Sequence, residues 1–284
     1  MSFPDLSDIA QAICNATGYD LIGRVGEGSF KETFHVRTPD GNSAALKVLR
    51  QNSAIDRIRR EVEAMSRCSH PNIGRLYSIE VIDYQGSRFL YMTEEFLEGG
   101  TLSNRLIMGN LQVADVVALG EMLISAVAQI ASLDLVHRDL KPDNIMFRGD
   151  GATPVIVDFG VVRDLTQVSL THDWLLRGPG TPYYAALEQL ENKKELIDWR
   201  TDQFALGVLL TECAFGYHPY SRPGDDKDDV VQRVATRQAP SARFLADSKG
   251  LSLVALQKMV AVWPVSRYRT PDELLRAWRL QGNV

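Results

Sequence analysis

His137-Arg138-Asp139-Leu140-Lys141-Pro142-Asp143-Asn144, with Asp158-Phe159-Gly160 beginning 19 positions after Asp139, is the stretch that decides how this chain is read. Taken singly, each piece has a plain structural explanation. The first is a polar turn after the apolar run Leu133 to Val136; the second is a strand-to-turn junction after Pro154-Val155-Ile156-Val157. Their order and separation make coincidence a poor account of the two together. Between them they supply three carboxylates, an ammonium, a guanidinium and an amide.

The eight-residue run matches, letter for letter, the catalytic loop of Ser/Thr protein kinases, and Asp158-Phe159-Gly160 matches that family's metal-binding triplet. The chain therefore resembles a eukaryotic-like (Hanks-type) Ser/Thr protein kinase, and its compactness and Lys31-Glu32-Thr33-Phe34 run look more like a bacterial relative than an animal one. Phosphoryl transfer asks for positioning and charge neutralisation more than for covalent chemistry by the protein. The resemblance implies that Asp139 orients the substrate hydroxyl and receives its proton, while Lys141 stabilises the transferring phosphate. Asn144 and Asp158 would hold Mg2+, or Mn2+ in its stead, against the phosphates of ATP. Lys141 is the Ser/Thr-kinase choice at its position. Arg138 makes the loop an RD type, whose arginine pairs with a phosphate on the activation segment.

Upstream, Val25-Gly26-Glu27-Gly28-Ser29-Phe30-Lys31-Glu32-Thr33 resembles the family's Gly-rich loop, where absent Cβ atoms let backbone N–H groups approach phosphate oxygens. Two departures stand out. Lys31 replaces the third glycine and points either to solvent or over the phosphates, and Thr33 replaces the valine that packs on adenine. Ala44-Ala45-Leu46-Lys47 resembles V-A-I-K, so Lys47 needs an anionic partner among its apolar neighbours. By the same resemblance that partner is Glu61, in a helix marked by Ile55, Ile58, Val62 and Met65, and together they address the α- and β-phosphates. The segment Phe89 to Leu102 reads as a strand running into the hinge, with backbone from Glu95 to Leu97 taking adenine. That register puts Glu94 at the gatekeeper position. Either Glu94 has a partner, since an unpartnered buried carboxylate is unfavourable, or the register slips by one and Thr93 takes its place. Val25, Gly26, Gly28, Thr33, Ala45, Lys47, Glu95 and Leu97 are thus the expected nucleotide contacts.

Downstream, residues 161–185 form the activation segment, with Thr166, Ser169 and Thr171 as phosphosite candidates. Gly180 to Glu188 resembles the peptide platform G-T-x-x-Y-x-A-P-E, with Leu187 for proline and Thr181 expected to bond Asp139 and Lys141. Asp202-Gln203-Phe204-Ala205-Leu206-Gly207 resembles D-x-W-x-x-G, so Asp202 is expected to brace the catalytic-loop backbone. Arg267 is expected to pair with Glu188. Thr270-Pro271-Asp272-Glu273 reads as a capping box opening the final helix. At the other end, Leu6, Ile9, Ala10 and Ile13 repeat at helical spacing.

Composition sets the bounds. The 284 residues, 45% hydrophobic and 24% charged, can build a sizeable core. A formal charge of -5 gives no overall basic field, so nucleic acid is not an expected partner. Cys14, Cys68 and Cys213 are scattered, which suggests neither disulfide framework nor zinc site and points to a reducing cytoplasm. Met1 to Asp5 lacks the basic flank and apolar run of a secretory leader. Val116 to Val136, the most membrane-like stretch, carries Glu121, Gln129 and Asp134 and is expected to be a buried core helix. The expected fold is α+β and two-lobed: a helical extension at 1–18, a strand-rich small lobe at 19–97 and a mainly helical large lobe at 98–284, with the kinase domain at about 19–281. Protein Ser/Thr hydroxyls are the expected acceptors, with self-phosphorylation of the activation segment. Two other readings stand beside this one, a pseudokinase serving as a nucleotide-binding switch and a small-molecule kinase; the platform at 180–188 speaks against the second.

Overall fold

A computed structural model describes residues 5–27, 31–50, 66–158, 163–164 and 182–283. The chain divides into two compact units, one of residues 1–69 and 74–98 and one of residues 70–73 and 99–284.

The first unit is built on a five-stranded antiparallel sheet of β1 (Asp20–Glu27), β2 (Lys31–Arg37), β3 (Ser43–Leu49), β4 (Leu76–Tyr84) and β5 (Ser87–Glu95), in the order β1-β2-β3-β5-β4. β3 is central, and Ala44 to Leu49 are all buried, so its two faces serve different purposes. Ala44, Leu46 and Val48 join Phe34 and Val36 of β2 in a core closed by helix α1 (Ser7–Thr17) through Leu6, Ile9, Ala10, Ile13 and Cys14. The i, i+3, i+4 spacing of those apolar residues is what lets one stripe of the helix cover the sheet. α1 stops at Gly18, whose φ of 74° lies in the left-handed region that glycine adopts cheaply. Ala45 and Lys47 are left on the other face.

In the second unit, helices α2 (Leu102–Leu106), α3 (Val113–Ser132), α4 (Leu187–Leu190), α5 (Trp199–Phe215), α6 (Lys227–Ala235), α7 (Ala242–Gly250), α8 (Ala255–Met259) and α9 (Pro271–Arg279) accompany two small strand pairs, β6 (Leu135–Val136) with β9 (Arg163–Asp164) and β7 (Ile145–Phe147) with β8 (Pro154–Ile156). α3 is long and apolar enough by length and composition to cross a membrane. Its stripe of Val116, Leu119, Leu123, Ile124, Val127 and Ile130 is buried inside this unit. α9 crosses it where Gly120 leaves room: a Cβ there would lie 2.2 Å from the Trp278 ring, and the Trp278 indole N–H donates to Val117 O at 2.8 Å. α9 opens with Pro271 in the first turn and Thr270 Oγ1 accepting the Glu273 N–H at 3.2 Å, but the expected capping box is only half formed, because the Glu273 carboxylate accepts the Arg269 N–H at 3.1 Å. α5 is buried from Thr201 to Thr211 and lies beneath the turn at 137–144, which it holds through Asp202.

Candidate active site

Between β6 and β7 the chain turns through His137 to Asn144, and α5 fixes that turn from below. The carboxylate of Asp202, 1% exposed, accepts the His137 N–H at 2.7 Å and the Arg138 N–H at 2.8 Å. Burial pushes the Asp202 carboxyl above the ordinary range, offset in part by Arg138 and those two N–H donors. Arg138 has φ 71°, a left-handed conformation costly for a residue with a Cβ; the N–H bonds to Asp202 and a 2.9 Å bond from Gln189 Nε2 to Arg138 O hold it there. His137 is fully buried. Its Nε2 lies 3.0 Å from Val157 O, which can only accept, and its Nδ1 accepts the Asp139 N–H at 3.3 Å. These partners select the Nε2–H tautomer.

The backbone so fixed presents three functional groups together. Lys141 Nζ donates to both Asp139 carboxylate oxygens, at 2.8 and 3.1 Å, and Asn144 Nδ2 donates to Asp139 Oδ2 at 2.9 Å and to Asp139 O at 2.7 Å. Asp139 is 36% exposed at its side chain and Lys141 23%, so the carboxylate is anchored yet reachable by an incoming hydroxyl. The β7–β8 register, Ile145 opposite Ile156, sets Asn144 beside Val157, whose N–H reaches Asn144 O at 3.0 Å. Asp158 follows directly, with φ 65°. Asn144 and Asp158, 14 apart in sequence, thus meet at one end of a two-stranded ladder.

Asn144 is 4% exposed, and donating its amide nitrogen to Asp139 leaves Oδ1 as its remaining acceptor. Amide and carboxylate oxygens are hard donors, and Mg2+ is commonly held by one or two such protein groups with phosphate and water completing six-coordination. The donor set fits. Among the described residues no group of three or more His, Cys, Asp and Glu side chains is placed to hold a metal by itself.

In the strand unit, Lys47 is 7% exposed and its ammonium lies 2.5 Å from Glu94 Oε2. The β3–β5 register pairs Ala45 with Glu94 and Lys47 with Met92, so Glu94 and Lys47 are diagonal neighbours on one face. Thr93, opposite Leu46, points to the other face and accepts the Ser78 hydroxyl at 3.3 Å. Of the two readings left open for this position, the partnered Glu94 is the one observed. Gly26 stands opposite Thr33, Thr33 opposite Lys47, Ala45 is buried and Val25 is 54% exposed. After β5, the Glu95 N–H donates to Arg75 O at 2.8 Å and Leu97 is buried. The Phe96 ring stacks on His35 at 3.8 Å. Lys31, half-buried, opens β2 opposite Leu49.

Near the platform sequence, Glu188 and Arg267 form a bidentate pair at 2.6 and 3.0 Å with both side chains fully buried. Arg267 further donates to the carbonyls of Ala261, Arg200 and Val262, and Thr201 Oγ1 donates to Glu188, so the pair is satisfied on all sides. Tyr184 donates its hydroxyl to Glu212 at 2.5 Å, and burial raises that carboxyl. Gly28, Glu61, Phe159, Gly160, Thr166, Ser169, Thr171 and Thr181 lie outside the described residues. Glu94 as the partner of Lys47, Gln189 and the His35 to Phe96 stack were not picked out in the sequence. Only Glu94 carried a signal there, a carboxylate at the gatekeeper position that called for a partner.

The family model described as the protein kinase domain matches residues 19–272. Calcium-dependent protein kinase 5 of Plasmodium berghei is 28% identical over 88% of the chain, serine/threonine-protein kinase PrkC of Bacillus subtilis 30% over 81%, and the probable serine/threonine-protein kinase PknB of Corynebacterium glutamicum 30% over 91%. The chain spans 42%, 35% and 41% of the lengths of these three relatives.

Proposed function

The chain belongs to the protein kinase family, and from that premise we propose that it is an active serine/threonine protein kinase that transfers the γ-phosphate of ATP to protein hydroxyls. The observation that carries the proposal is the constellation at Asp139: a carboxylate held by Lys141 and Asn144 on a loop that α5 fixes from beneath. Asp139 accepts the proton of the Ser or Thr hydroxyl as its oxygen bonds to the γ-phosphorus and the bond to the ADP oxygen breaks. Lys141, already beside that carboxylate, lends positive charge to the transferring phosphoryl group. Asn144 and Asp158 would hold Mg2+, which neutralises phosphate charge when bound. Lys47 takes the α- and β-phosphates. Thr166, Ser169 and Thr171 are the proposed sites of self-phosphorylation, and the cytoplasm is the proposed location.

The test is the intact mass of the purified protein before and after incubation with ATP and Mg2+, alongside Asp139→Asn. Wild-type additions of about 80 Da per phosphate, absent from the variant, are expected. If neither protein gains mass and neither phosphorylates a generic protein substrate while both bind nucleotide, the chain is a nucleotide-binding switch and the proposal falls.

A further inference from the structure

We infer that Glu94 sets nucleotide affinity by acting as a built-in anion on Lys47, so that a polyphosphate binds in competition with a carboxylate carried by the protein itself. The inference rests on the proposed role of Lys47 as a ligand of ATP phosphates. Glu94 Oε2 is 2.5 Å from Lys47 Nζ, with side chains 21% and 9% exposed. Solvent screens so enclosed a pair less than a surface one. The pair is also fixed by the fold. Both residues sit in the interior of paired strands, at a register that makes them same-face neighbours. An ammonium has three N–H donors, and one of them is directed at Glu94 whatever else Lys47 touches.

A phosphate group arriving at Lys47 therefore meets a cation whose charge is already balanced. It must share the ammonium with Glu94 or displace it, and in both cases a fixed negative charge stays within a few ångströms of the incoming anion. An ordinary structural ion pair predicts nothing about ligands. The competition predicts an effect that appears only with phosphate-bearing nucleotides, because adenosine places no charge at Lys47. Removing the carboxylate's charge makes the field at Nζ more positive and strengthens the binding of anions. Affinity traded in this way gives a kinase that loads only at high ATP and releases ADP readily.

Glu94→Gln keeps the shape and an acceptor for Nζ, while Glu94→Met fills the position with an apolar chain. Binding of adenosine, ADP and ATP, the last two with Mg2+, is measured by calorimetry for wild type and both variants. Expected are an unchanged adenosine affinity and about tenfold tighter ADP and ATP, equivalent to about 1.4 kcal/mol. Melting temperature is read with and without saturating ATP, and the rise should exceed that of the wild type even if a variant starts lower. Weaker ATP binding in Glu94→Gln, or equal changes for all three ligands, would overturn the inference. ATP binding by the wild type that Glu94→Gln leaves unaltered overturns it alone; a wild type that binds no ATP removes the nucleotide role of Lys47 and the inference with it.

Discussion

Asp202→Asn separates the support of the catalytic loop from its chemistry. In the wild type, both carboxylate oxygens accept backbone N–H groups, from His137 at 2.7 Å and Arg138 at 2.8 Å, inside a site 1% exposed. Asparagine keeps one acceptor and replaces the other with an NH2 that confronts an N–H. One buried donor is then unsatisfied, at about 1–3 kcal/mol, and the surviving bond falls from charged to neutral strength, roughly 1 kcal/mol more. In the other direction, burial raises the Asp202 carboxyl, so a neutral side chain recovers part of the desolvation cost. A net loss of about 1–3 kcal/mol is expected. Arg138, held at φ 71°, relaxes once its N–H bond is lost, and Asp139 moves with it. Urea denaturation should therefore show a lower midpoint at unchanged slope, and turnover should fall by at least tenfold while the KM for ATP changes little. A variant with wild-type midpoint and wild-type turnover would refute the claim that α5 holds the loop in place.

Three further outcomes are expected. Arg267→Met strands the buried Glu188 carboxylate with Thr201 as a remaining donor and should cost about 3–5 kcal/mol in denaturant titrations, much of which a paired Glu188→Leu substitution restores. Gly99→Ala would place a Cβ 2.4 Å from Arg148 O and 2.7 Å from Phe147 O, so the segment beside β7 must shift, and the melting temperature should drop by several degrees; an unchanged value would mean the strand yields freely. Burial pushes His218 from 6.5 down to about 3. Between those values the unfolded chain binds a proton that the folded protein does not, so this residue makes stability fall as pH drops, by up to about 1.4 kcal/mol per pH unit. Glu212, raised by burial, acts in the opposite sense. The acid limb of the stability curve should be shallower in His218→Gln, and an identical slope in the two proteins would contradict the buried, neutral imidazole.

Some of this was legible without coordinates because it depends on near neighbours. The apolar spacing of Leu6, Ile9, Ala10 and Ile13 is enough to give a helix with one buried stripe, and Thr270 with Pro271 is enough to start α9. The run from His137 to Asn144 carries Asp139, Lys141 and Asn144 within six residues, so any turn there keeps them close. The structural places of Asp202, Glu188 and Arg267 were suggested by family resemblance rather than by local chemistry, since each partner lies 64 or more positions away.

What the tertiary structure alone decided is the set of contacts that depend on strand register and on packing between distant segments. Whether Glu94 or Thr93 faces Lys47 turns on a shift of one residue, which exchanges the two faces of β5; the β3–β5 register sets Glu94 against Lys47, 47 positions away. That Gly120 makes room for Trp278, and that Gln189 braces Arg138 from 51 positions on, likewise follows from how helices and loops pack. The residues that name the chemistry are written along the chain, whereas the charges that tune it are brought to them by the fold.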